Sequence, residues 1–186
     1  DPVQTVEAEQ PVFRDVGNSA DYGDGYLYLD GVAGSRATIP NPLGALGDFT
    51  FQVDGLSPET VRPAADVSLM GDYDQSIYAT FILMVSPSGT LMLYLYYGGT
   101  NETFTTLPIP TDTVGVRVTR VGTLLTYLVD TGSGFVSHET DTSAGIVLSN
   151  PSVDLQIGSY YTNGALGPLT GTISRAQIWD NGAQTG

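Results

Sequence analysis

The chain is a run of short apolar segments broken every few residues by Gly, Pro, Asp or Ser, and no apolar period of 3.6 lasts for three helical turns. Such a pattern leaves strands and turns as the main building material. Phe49, Phe51 and Val53 alternate with Thr50, Gln52 and Asp54, and Val114, Val116 and Val118 alternate with Gly115, Arg117 and Thr119. Alternation of this kind marks a strand with one face buried. Further strands are expected at Tyr26 to Asp30, Val67 to Met70, Ile77 to Val85, Leu91 to Tyr97, Leu124 to Val129, Val153 to Ile157 and Thr172 to Trp179. Ser86-Pro87-Ser88-Gly89 is a turn that folds two of them into a hairpin, and Asp130-Thr131-Gly132-Ser133-Gly134 reverses the chain again. In the last strand the alternation slips between Ile173 and Ala176, which suggests a bulge or burial on both faces. About ten strands at irregular spacing predict an all-β, two-sheet antiparallel sandwich with little helix. Its core should include Phe49, Phe51, Val116, Val118, Leu155, Ile157 and Trp179.

At 186 residues the chain has the length of one domain. Residues 1–20 are polar and turn-rich and read as a lead-in, with the sandwich over 21–186. Residues 57–66 read as a surface loop. No apolar run approaches the ~20 residues of a membrane span, and no basic-then-apolar start signals a secretory leader. There is no Cys, so disulfides and thiolate metal sites are excluded.

The formal charge is −14, and the six basic residues are all Arg. Phosphate backbones and anionic membranes are recognised through clustered cations, so neither nucleic acid nor a membrane is an expected partner. Asp outnumbers Glu 15 to 5, which fits acids placed in turns.

Three ordered segments resemble a known superfamily. They are Tyr26-Leu27-Tyr28-Leu29-Asp30-Gly31-Val32 leading to Phe49-Thr50-Phe51, then Val116-Arg117-Val118-Thr119-Arg120 with Tyr127-Leu128-Val129-Asp130, and finally Leu155-Gln156-Ile157-Gly158 with Gly171-Thr172-Ile173-Ser174-Arg175-Ala176-Gln177-Ile178-Trp179-Asp180. In this order they resemble the concanavalin A-like, laminin G-like lectin and glucanase superfamily, which implies a jelly-roll sandwich. The segments at 25–34 and 171–178 look like the lectin-like domains in minor tail proteins of actinobacterial phages. That resemblance implies a non-catalytic tail-tip module in the virion. Its partners would be host cell-wall glycan, other phage tail proteins and, as a homo-oligomer, further copies of itself. The alternative is a structural or oligomerising tail module without a ligand, and a distant third is a glycosidase.

Glucanases of this superfamily need two carboxylates roughly 5–10 Å apart, in a Glu-x-Asp-x-x-Glu pattern that is absent here. Glu7, Glu9, Glu59, Glu102 and Glu139 fall in no alternating strand pattern, so no enzyme activity is expected. The single His138 reads as a solvated loop residue. Relatives of the fold often hold Ca²⁺ at a sheet rim, for which Asp72 with Asp74, and Asp21 with Asp24, are the candidates. Ca²⁺ takes about six to eight oxygens, so two Asp do not suffice; no cofactor is expected, and these acids read as solvated turn residues. For sugar, aromatic rings stack on C–H faces while amides and carboxylates hold hydroxyls. Tyr160, Tyr161 and Asn163 stand in one Gly-bounded loop, and Asp72, Tyr73 and Asp74 in another. If the two loops share an end of the sandwich they form one shallow site. Tyr94 and Tyr96 share a face of one strand, where sheet packing is the commoner role.

Overall fold

The computed structural model describes residues 27–31, 36–39, 47–72, 81–97, 100–144, 154–159 and 168–180. Within them the chain forms β1 (Leu27–Asp30), β2 (Ala37–Ile39), β3 (Phe49–Asp54), a helical turn α1 (Pro58–Val61), β4 (Val67–Gly71), β5 (Phe81–Val85) and β6 (Thr90–Tyr97). There follow β7 (Thr100–Pro108), β8 (Gly115–Val121), β9 (Leu124–Asp130), β10 (Phe135–Thr142), β11 (Leu155–Ile157), β12 (Thr170–Ile173) and β13 (Arg175–Asp180). One sheet has the order β10-β9-β8-β3-β13 and the other β2-β11-β4-β5-β6-β7, while β1 and β12 form a two-stranded ribbon. Every pairing is antiparallel. The architecture is the expected antiparallel jelly-roll sandwich.

Alternation dictates which side chains meet between the sheets. Phe49, Phe51, Val53, Val116 and Val118 come from the five-stranded sheet and Leu83, Val85, Leu91, Leu93 and Leu95 from the six-stranded one, all fully buried. The Phe51 ring stacks on Phe49 at 4.2 Å and on Phe81 at 4.1 Å, joining the two sheets through one aromatic column. Leu29 and Ile173 of the ribbon close one side of this core. The expected hairpin is present. Gly89 takes φ 78° and donates its N–H to the Ser86 carbonyl at 2.8 Å.

Four expectations fail for identifiable reasons. Trp179 is half-buried, because in β13 it is Ala176 and Ile178 that turn toward the core, and Trp179 opposes Thr50 on the outer side. The slip near Ile173 is a full break at Ser174. There the chain leaves the ribbon, where β12 pairs with β1, and joins β3 as β13. The segment 57–66 is no plain surface loop, since α1 buries Thr60 and Val61 completely. His138 lies on β10, half-buried, with Nε2 3.1 Å from the Leu107 carbonyl. The lead-in 1–20 and the first part of the expected strand at 77–80 fall outside the described residues. Among the described residues no helix is long and apolar enough to cross a membrane.

Candidate functional site

Cross-strand partners stand on the same face of a sheet, so the register maps the outer surface of the six-stranded sheet. Leu91, Leu93 and Leu95 of β6 point inward with no exposure, which turns Met92, Tyr94 and Tyr96 outward. Tyr94 pairs with Ile82 on β5 and Thr103 on β7; Ile82 pairs with Gly71 on β4; Gly71 pairs with Gln156 on β11; and Gln156 pairs with Thr38 on β2. One row therefore crosses all six strands. A second row holds Ser68, Met84, Met92 and Thr105. The register shift between Ser68 and Met70 is what keeps Ser68 and Gly71, three residues apart, on the same face.

Accessibility grades across this face. Asn101, Thr103 and Thr105 on the edge strand β7 are exposed, Met92, Tyr94 and Tyr96 are half-exposed, and Ile82, Met84, Ser68 and Gln156 are buried. The Tyr94 hydroxyl has the Met92 sulfur as a weak acceptor at 3.8 Å. Burial, and then the negative charge of Asp66, raises the Tyr94 pKa and keeps its phenol neutral. Deeper in the face, Gln156 is completely enclosed and neither its Oε1 nor its Nε2 has a partner; the Ser68 hydroxyl is in the same state. A buried polar group left unsatisfied costs about 1–3 kcal/mol. The accessible part of the face thus combines two aromatic rings with hydroxyls and an amide, and its floor holds further neutral hydrogen-bonding groups without partners.

Of the residues in the two expected loops, Asp72 alone lies among the described ones. Asp72 follows β4 directly and is buried rather than solvated, 1% exposed. Its Oδ1 accepts the Phe81 amide at 2.9 Å while its own N–H donates to the Phe81 carbonyl at 3.2 Å, clamping β4 to β5. A short side chain that bonds a neighbouring strand's amide is drawn inward with the sheet. Tyr73, Asp74, Tyr160, Tyr161 and Asn163, like Asp21 and Asp24, lie outside the described residues. Their anchors are described, and β4 and β11 are antiparallel neighbours with Gly71 opposite Gln156. Asp72 and Ser159 consequently stand toward opposite ends of that pair, about 13 Å apart at roughly 3.3 Å per residue.

Two carboxylates expected off the strands sit on them. Glu102 on β7 accepts the Ala144 amide at 3.1 Å, and Glu139 on β10 accepts the Leu107 amide at 2.6 Å. Both tie the edge of one sheet to the chain of the other. Among the described residues no three His, Cys, Asp or Glu side chains come together as a metal site. The outer tyrosine face was only half legible in the sequence. The alternation showed Tyr94 and Tyr96 on one side, but Gln156 joins them through pairing partners far away in the chain.

No protein-family model and no curated protein matches the chain. Solved structures do. The CBM40 module of Ruminococcus gnavus IT-sialidase, bound to alpha2,3 sialyllactose, superposes with a TM-score of 0.60 at 14% identity, covering 84% of this chain and 90% of that one. The enzymatically active domain of bacteriophage CBA120 tailspike protein 2 gives 0.57 at 13% identity over 82% of this chain, which spans 25% of that one. Domains LG4-5 of the mouse laminin alpha1 chain give 0.52 at 12% identity, over 81% and 40%. At such identities the likeness is one of fold, an antiparallel β-sandwich shared with a carbohydrate-binding module and with laminin G domains.

Proposed function

We propose that this domain is a non-catalytic carbohydrate-binding module, carried at a phage tail tip and contacting polysaccharide of the host envelope. The observation behind the reading is the outer face of the six-stranded sheet, where Tyr94 and Tyr96 stand beside the exposed Asn101, Thr103 and Thr105. Rings flanked by neutral donors and acceptors match the alternating C–H patches and hydroxyls of a sugar. The fold supports it, since a sialidase's carbohydrate-binding module and a phage tailspike domain share it. The non-catalytic part draws on Glu102 and Glu139, whose carboxylates each hold a backbone amide of the apposed edge. An open face of this kind binds weakly, and many copies on one particle supply the avidity. A structural module that assembles with its own copies is the second reading, favoured by Leu107 and Val136, which are 68% and 60% exposed on β7 and β10.

The test is a host-envelope pull-down and glycan-array measurement with the isolated domain. Tyr94→Ala with Tyr96→Ala should keep the fold and weaken binding about tenfold, the equivalent of ~1.4 kcal/mol. Tyr160→Ala with Tyr161→Ala is the comparison pair. If only that pair abolishes binding, the ligand sits on the loop and not on the sheet. If the wild-type domain binds no glycan and sediments as an oligomer, the structural reading replaces this one.

A further inference from the structure

Charge is divided unequally between the two sheets. The five-stranded sheet contains Arg117, Arg120, Arg175 and His138 together with several acids. The six-stranded sheet has no Arg, Lys or His on any of its strands, and its one charged residue is Glu102. Glu102 pairs with the inward-facing Leu95 and bonds the Ala144 amide, so it does not belong to the outer face.

No cation is free elsewhere among the described residues to serve that face. Arg62 donates to the carbonyls of Val61 and Ile109. Arg117 bonds Gln52 at 2.7 Å and lies 4.0 Å over the Phe135 ring. Arg120 is buried against the carbonyls of Gly47 and Ala144, Arg175 pairs with Asp54 at 2.7 Å, and Arg36 is engaged as well. The whole sequence has no Lys, and its net charge of −14 places any bound anion in a repulsive field.

We infer that the tyrosine face selects an uncharged polysaccharide, one built of neutral hexose or pentose units, and rejects sialylated, uronic-acid and phosphodiester-linked glycans. The inference rests on the reading of this face as a glycan site and adds the ligand's charge to it. A carboxylate or phosphate taken from water needs a cation or several directed donors to replace its hydration, and among its described residues the face offers no cation. Asn101, Thr103 and Thr105 fit the same class, because an amide or hydroxyl that both donates and accepts matches a sugar hydroxyl, which does likewise. Beside the larger effect of burial, the Asp66 carboxylate raises the Tyr94 pKa, so its negative charge acts at the Tyr94 hydroxyl.

The experiment compares one polymer in two charge states. Polygalacturonate and its carboxyl-reduced product are offered to the domain beside neutral galactan, arabinan, mannan and glucan, sialyllactose and a teichoic acid. Titrations run at low and at high NaCl. Binding should be confined to neutral members, and its Kd should change by less than about twofold with salt, because no ion pair is there to be screened. Tyr94→Ala should weaken it severalfold. Capture of polygalacturonate, sialyllactose or teichoic acid, lost on carboxyl reduction or in high salt, would overturn the inference while keeping the glycan-binding reading. Binding to nothing in the set would overturn that reading and the inference with it. Neutral binding left unchanged by Tyr94→Ala would move the site off this face and overturn the inference there.

Discussion

Arg120 is the most improbable side chain in the core. It alternates with Val116 and Val118, so β8 turns it inward, where it is 2% exposed beside the Phe49 ring. Its Nη1 and Nη2 each bond a carbonyl at 2.8 Å, of Gly47 and of Ala144, so one planar fork holds two separate stretches of chain. Arg120→Ala should lower stability by about 3 kcal/mol or more, through a cavity and two orphaned carbonyls. Arg120→Lys should recover only part of that, because one ammonium replaces a fork. Urea denaturation reads both, and a loss below about 1 kcal/mol in the Ala variant would refute the role. Tyr127 is the opposite case. Its hydroxyl is buried without a partner, and burial first, then the carboxylates of Asp141 and Glu139, raise its pKa. The folded state therefore keeps the phenol protonated where the unfolded chain, at about pH 10, begins to lose it. The stability tied to that proton is complete below pH ~10 and is lost as pH climbs from there toward the folded value. Tyr127→Phe should leave the melting temperature at neutral pH unchanged or higher, and should flatten its decline above pH ~10. A lower neutral-pH melting temperature would reveal a partner for that hydroxyl.

At the level of strands, the sequence revealed those with one apolar face and concealed those with none. The strands β3, β8 and β9 alternate because one side meets the core. The strands β7 and β10 went unrecognised because each is a sheet edge. Thr100–Pro108 has four Thr among its nine residues, and Phe135–Thr142 alternates little because both of its faces are largely exposed. These two edges lie against one another, joined by Glu139 and His138 on the Leu107 peptide, and so neither presents a fully open edge. The run Phe81–Val85 has the converse problem. It is buried on both faces, and an unbroken apolar run does not say which residues look inward. The join between β12 and β13 depends on a glycine. Gly55 has φ 74°, and a Cβ there would stand 2.6 Å from the Ser174 nitrogen, which itself donates to the Asp54 carbonyl. Gly55→Ala should cost about 2 kcal/mol, from the left-handed backbone and the forced shift of Ser174. A drop of roughly 4–8 °C in melting temperature is expected at this chain length, and an unchanged value would show that the join is pliable.

Taken whole, the molecule separates two tasks between its sheets. One is laced by Arg, Asp and Glu side chains; the other presents rings, hydroxyls and amides without charge. The sequence contained this division from the start, but it stays invisible until the strands are sorted, since neighbours in the six-stranded sheet are drawn from both ends of the described chain. The order of segments along a chain says nothing of which end of a sheet a loop leaves. It also sets a timetable. Strand β3 sits between β8 and β13, and β13 is synthesised about 120 residues after β3, on the order of 10 s later at the pace of a ribosome. Through that interval one flank of β3, with Phe49 and Phe51 along it, waits unpaired, so each newborn copy is exposed to trapping by its neighbours on the polysome until its last strand arrives.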